Sequence, residues 1–246
     1  MVHDPHACFC STLDLAPKSA ASLVQGKGRA ALFKPSHWGS KRILKVGFIG
    51  GSEAVRKRVA KHAQQWAATG AGLQFYFWTD AKTGAEADAA DIRVSFNRDG
   101  RSWSYLGTDA TLPEFAGQPT MNLGWLTETL PEEQAQSVIL HEFGHALGLI
   151  HEHQNPHKKI DWDEDAVIAD LSGPPNNWDR KRILSNMFKA YDPKLLFATK
   201  VDAQSIMMYP IKASWTKNGF SVGFNVTLSS DDKRLIKEAY PSIGGV

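Results

Sequence analysis

The sequence predicts an α+β fold whose first part is more regular than its second. Three observations carry that prediction. Strand and helix patterns follow one another over residues 43–147 in the order strand, helix, strands, helix. After Gly148 the periodicity fades, with Gly173-Pro174-Pro175 as a break. A capped, amphipathic helix then closes the chain at 229–240.

Each element has a local reason. ILKVGFIGG at 43–51 reads as a strand ended by a glycine pair. Ser52 suits an N-cap. The helix after it places Val55, Val59, His62, Ala63 and Trp66 on one face as far as Thr69, and Gly70 suits its stop. LQFYFW (73–78) and DIRVSF (91–96) read as two more strands, followed by a glycine- and aromatic-rich loop over 97–118. TMNLGWL (120–126) reads as a short strand, and Pro119 and Gly124 favour an edge position for it. Pro131-Glu132-Glu133 opens a second helix with acidic residues at its positive end, and Gly148 suits its stop. A further helix is expected over about 178–190.

The 246 residues are 42% hydrophobic and carry a formal charge of +2, which suits one large domain or one domain of two lobes around a cleft. No basic run resembles a nucleic-acid-binding arm: Arg56-Lys57-Arg58 with Lys61 fits a solvated helix face. No apolar run approaches the ~18 residues needed to span a membrane. The first thirty residues lack a positive start followed by an apolar core, so no signal peptide is expected. The two cysteines, Cys8 and Cys10, lie near the start and cannot staple the body of the protein, which excludes a disulfide scaffold.

The segment HEFGHALGLIHEH (141–153) carries the chemistry. His141 and His145 are four apart on the expected helix, so both rings share one face and can bind one zinc ion. Glu142 sits beside the first and can act as general base on a water at the metal. Gly148 lets the chain turn sharply, and His151 can swing back as a third ligand. Three neutral histidines leave the metal its full charge, which acidifies bound water toward a pKa of ~7. A chance match to HExxHxxGxxH in this chain is on the order of one in 10⁵.

This motif, with SIMMYP at 205–210 downstream, resembles the metzincin clan of zinc endopeptidases, whose signature is the long histidine motif plus a methionine turn. The nearest likeness within the clan is to astacins, through Glu152 directly after the third ligand, KIDWDED (159–165) and the ending LSSDDKRLIKEAYP. The resemblance implies a two-lobed fold. A twisted, mostly parallel sheet with an antiparallel edge is backed by helices in the N-terminal lobe (about 29–148). The C-terminal lobe (about 149–246) is irregular. It implies Met207 as a base beneath the histidines, and Tyr209 as a fifth ligand that swings away to stabilise the transition state. It further implies that the edge strand, assigned to Thr120, Met121, Asn122, Leu123, Gly124 and Trp125, pairs with an extended substrate. By the same likeness Cys8 or Cys10 could occupy the water site in a latent form, making residues 1–28 a leader, linker or propeptide remnant.

The chain departs from the astacin pattern in three places. Met208 stands where astacins commonly have histidine, Gln154-Asn155-Pro156 replaces an arginine-containing sequence, and the body disulfides are absent. The expectation is therefore an astacin-like metzincin rather than an animal-type astacin. It would act as a monomer with one zinc ion on protein or peptide substrates, secreted by family likeness. The acidic run Asp161-Asp163-Glu164-Asp165 fits a helix start as well as a calcium site, so calcium stays open. Two alternatives remain at this level: a zinc exopeptidase, and a catalytically silent zinc-containing binding or inhibitory protein. His153 is expected to be structural or surface, and His157, His62 and His37 to be bystanders.

Overall fold

A computed structural model describes residues 11–12, 31–41, 43–81, 87, 89–157, 159–174, 176–197 and 200–242. Among these residues the main sheet has six strands: β1 (Ser11–Thr12), β3 (Ile43–Ile49), β4 (Gln74–Ala81), β5 (Ile92–Ser95), β6 (Ser102–Ser104) and β7 (Met121–Leu123). Their order is β1-β6-β7-β5-β3-β4. β4, β3, β5 and β7 run parallel, β6 is antiparallel to β7, and β1 lies parallel to β6. A small sheet pairs β2 (Leu32–Phe33) with β8 (Leu196–Phe197) in antiparallel fashion.

Helix α1 (Glu53–Ala67) starts at Ser52, whose side chain accepts from the Val55 amide. Its expected face, Val55, Val59, His62, Ala63 and Trp66, is buried. Helix α2 (Glu132–Ala146) packs beside α1 and is buried from Ser137 to its end. Trp66 Nε1–H donates to the Leu140 carbonyl at 3.0 Å, joining the two helices inside the core. At the entry to α2, Arg58 donates to the Thr127 and Leu130 carbonyls, and Glu132 takes ion pairs from Arg58 and Lys61. The basic cluster expected to be solvated thus in part ties α1 to the start of α2.

The second part of the chain contains α3 (Glu164–Ser172), α4 (Arg180–Ile183) and α5 (Ser230–Ala239). Helix α3 follows the acidic run, one of whose two readings is a helix start. Asp163 caps it by accepting from the Ala166 amide, so the acidic run is a helix start. The helix expected over 178–190 is α4, which widens into a π turn over Leu184–Phe188. Val167, Leu171, Trp178, Ile183, Met187, Met208, Tyr209 and Trp215 share a hydrophobic core of their own. Helix α5 belongs elsewhere: Leu235, Ile236, Ala239 and Tyr240 join the large core of the sheet, α1 and α2.

The edge position expected for residues 120–126 is corrected by the sheet order. β7 is internal, between β6 and β5. The glycine that suggested an edge has another reason: a Cβ at Gly124 would meet the Arg101 carbonyl oxygen at 2.3 Å. Glycine there admits the loop that leads into β6. Asn122 then fastens that loop, donating to the Asn97 and Arg101 carbonyls and accepting from the Asn97 amide. The antiparallel strand is β6, only three residues long and too short to show a period inside the expected loop.

Lys61 and Arg58, in that order, hold the Glu132 carboxyl at about 2, below the ordinary 4.5. A depressed acid stabilises the fold above its unfolded value, and that contribution is lost as pH falls from 4.5 toward 2. Glu132 is half exposed, so the effect is modest. Glu132→Gln is expected to lower the melting temperature at pH 7 by about 1–3 °C and to flatten its slope below pH 4.5. Thermal melts of the two proteins across pH check this.

Candidate metal centre and active site

The site forms where α2 ends. Gly148 has φ +92°, a left-handed conformation that glycine adopts without strain. The turn closes by hydrogen bonds donated by the Gly148 amide to the His145 carbonyl and by the Leu149 amide to the Gly144 carbonyl. Other α2 carbonyls receive side chains from distant segments: Trp38 Nε1–H donates to Ala146 at 2.8 Å and the Tyr240 hydroxyl to Leu147 at 2.8 Å. Beyond the turn, β2 clamps the chain through Phe33 N–H to the Gly148 carbonyl and Ile150 N–H to Ala31. His151 therefore leaves the turn in a defined direction.

The three histidines converge. Among the described residues, His141, His145 and His151 form the one cluster of potential metal ligands, with ligand atoms all within 4.8 Å of one another. The Nε2 atoms of His145 and His151 are 3.1 Å apart. His141 Nδ1 donates to the Ile206 carbonyl at 2.8 Å and His145 Nδ1 donates to the Leu149 carbonyl at 2.8 Å. Each bond places the ring proton on Nδ1 and leaves Nε2 with its lone pair for a metal. Burial pushes His141 down to about 4, against the pull of its Ile206 bond. It also pushes His145 and His151 well below their ordinary value, helped by the neighbouring imidazoles. Neutral rings on this scale of spacing suit one zinc ion at ~2.0–2.1 Å from each nitrogen.

Glu142 lies beside His141 on α2 and is fully buried. Tyr209 is 2% exposed, its ring 4.2 Å from that of His151 and 6.1 Å from that of His141. Met207 is buried beneath α2, and its carbonyl accepts the Glu152 amide at 3.0 Å. Glu152 Oε1 accepts from Asn155 Nδ2 and from the Asp202 amide, and burial pushes its carboxyl up to about 8. It links the third histidine to the chain entering the methionine turn.

The remaining expected residues have other places. His153 packs behind the site, its ring 4.7 Å from Tyr209, with Nε2 bonded to the Asn186 carbonyl in the π turn. His62 bonds Glu132, and His37 stacks on Tyr240 at 4.1 Å. Met208 packs in the second core. Cys8 and Cys10 lie outside the described residues. Sequence reasoning missed Gly144, whose Cβ would meet Met207 Sδ at 2.3 Å. The signal was the small residue inside HEFGH, but nothing in the chain says what approaches it.

The sequence profile of the astacin family of peptidases matches residues 88–241. The chain belongs to the astacin family. As such it is a zinc metalloendopeptidase. A structure of myroilysin is similar over 86% of this chain and 98% of its own, with 39% identity and a TM-score of 0.78. A crystal structure of myroilysin covers 96% of this chain and 91% of its own at 35% identity and a TM-score of 0.63. High choriolytic enzyme 1, a hatching enzyme zinc-protease from Oryzias latipes (Medaka fish), shares the fold at 16% identity and a TM-score of 0.57, covering 84% of this chain and 95% of its own. No curated protein sequence matches the chain.

In this astacin-family chain, Gly144→Ala is expected to destabilise by about 1–3 kcal/mol, because the new methyl meets Met207 in a filled core. Adding Met207→Ala should recover part of that loss, a non-additive result for two residues in contact. Denaturant titrations of the single and double variants measure the coupling.

Proposed function

We propose that the chain hydrolyses internal peptide bonds, with one zinc ion held by His141, His145 and His151 and with Glu142 as general base. The convergence of three neutral imidazoles around the turn that carries Glu142 is the observation that supports this most. Zinc bound there would act as a Lewis acid, polarising the scissile carbonyl and acidifying water. The Glu142 carboxylate takes the proton from the attacking water and returns it to the leaving amine. The Tyr209 phenol, packed on His151, donates a hydrogen bond to the oxyanion as it develops. Met207 supports the ligands from below, and Glu152 holds His151 against the methionine turn. The protein would act as a monomer outside the cell, on protein substrates.

An extended substrate would add to the outer edge of β6, the antiparallel strand of the sheet. Ser11 and Thr12 take that edge in this structure, paired in parallel with Trp103 and Ser104. The N-terminal segment therefore competes with substrate, and residues 1–28 act as a latency segment, with Cys8 or Cys10 as its metal-blocking thiol.

Mass spectrometry of a denatured protein incubated with the chain tests the reading. New internal termini are expected. They should vanish with Glu142→Ala, which should lower kcat by about 10²–10⁴-fold. Tyr209→Phe should lower kcat by about 10²–10³-fold. Removing residues 1–28 should raise activity, as should a Cys8→Ala/Cys10→Ala double variant. Zinc-loaded protein that yields only terminal residues would overturn the reading, as would one that cleaves nothing in either form.

A further inference from the structure

Helix α5 begins with a capping box that does more than cap. Ser229 Oγ accepts from the Asp232 amide at 2.9 Å, and Asp232 Oδ2 accepts from the Ser229 amide at 2.9 Å. In a capping box the acid's part is to satisfy the N-cap amide of its own helix. Asp232 is fully buried, where a carboxylate is costly unless donors surround it. Two more donors come from the methionine turn. Ser205 Oγ–H donates to Asp232 Oδ1 at 2.6 Å, and the Ile206 amide donates to Oδ2 at 2.8 Å. The Met207 amide in turn donates to Ser205 Oγ at 3.0 Å.

The same residue, Ile206, reaches the histidine cluster. Its amide donates to Asp232 and its carbonyl accepts from His141 Nδ1–H, each at 2.8 Å. The Ile206 carbonyl fixes the tautomer and orientation of His141, and Asp232 fixes Ile206. We infer that Asp232 is a positioning residue for the zinc site, holding the methionine turn so that Ile206 presents its carbonyl to His141. Hydrogen bonds from Ser205, Ile206 and Ser229 oppose the upward push of burial on its carboxyl. Its role is geometric: Ser205 and Ile206 both donate to this side chain, and Met207 is tied to it through Ser205. Asparagine can imitate much of it. Its amide oxygen would take both backbone amides and its Nδ2–H would donate to Ser205 Oγ. Alanine cannot. The inference rests on the zinc reading proposed above.

The test measures zinc dissociation constants by chelator competition on the full chain, with kcat and KM at saturating zinc. Asp232→Ala should bind zinc about 10-fold more weakly, the low end of the effect of losing a ligand's own hydrogen-bond partner, because Asp232 reaches His141 through Ile206. Its kcat should fall while KM stays within about twofold of the parent. Asp232→Asn should return zinc binding to within about threefold of the parent. Ser229→Ala removes the cap and leaves the turn's donors in place, so it should lower the melting temperature and leave zinc affinity unchanged. Parent-like zinc binding in Asp232→Ala would overturn the inference, as would an equal loss in Ser229→Ala. If Asp232→Ala does not fold, Ser205→Ala decides: a weakening of about three- to tenfold supports the role and no change overturns it. A parent that binds no zinc would instead sink the zinc reading itself.

Discussion

The structure depends on two hydrogen bonds that hold dehydrated imidazoles in place. His141 and His145 sit in a fully buried helix end, where a charged or wandering ring would be costly. The carbonyls of Ile206 and Leu149 each take an Nδ1–H and so decide which nitrogen is left for a metal. Leu149 lies four residues beyond its histidine, in the turn that Gly148 permits. Ile206 lies 65 residues beyond its histidine. One partner is local and the other is brought in by the whole fold.

Much of the remaining architecture serves that convergence. The α2 terminus is closed by an indole from Trp38 and a phenol from Tyr240, which come from opposite ends of the chain. Gly144 makes room for Met207 at a separation no other residue would allow. The large core takes in Ile206 and Met207, while Met208 and Tyr209 enter the second core. The methionine turn therefore sits where the two cores meet, and Tyr209 is delivered to the histidines from the second of them. Packing of this density transmits small displacements, so a residue beneath the site matters to the histidines above it.

The open side of the sheet follows from the short antiparallel strand. β6 exists because Asn122 and Gly124 let the preceding loop approach β7 closely. Its outer edge offers backbone donors and acceptors, and the N-terminal segment reaches it at Ser11 and Thr12. The clustered histidines and this edge are thus assembled by independent devices: one a helix end, the other a side-chain amide.

Some of this was determined by the sequence alone. Helix spacing sets His141, Glu142 and His145 on adjoining positions of one turn, and Gly148 sets the exit, because both are local consequences of backbone geometry. The caps at Ser52 and Ser229 and the buried face of α1 were legible for the same reason. The family resemblance to astacins, carried by the histidine motif and SIMMYP, agrees with the family profile. Tertiary structure decided the rest. Whether 120–126 is an edge depends on which strands flank it, and three-residue β6 carries no period to announce itself. Helix α5 was legible as a helix, but its burial in the first core was not. His153 and Gly144 likewise acquired their meaning from partners far away in the chain, because a residue's neighbours across the core are set by packing rather than by spacing.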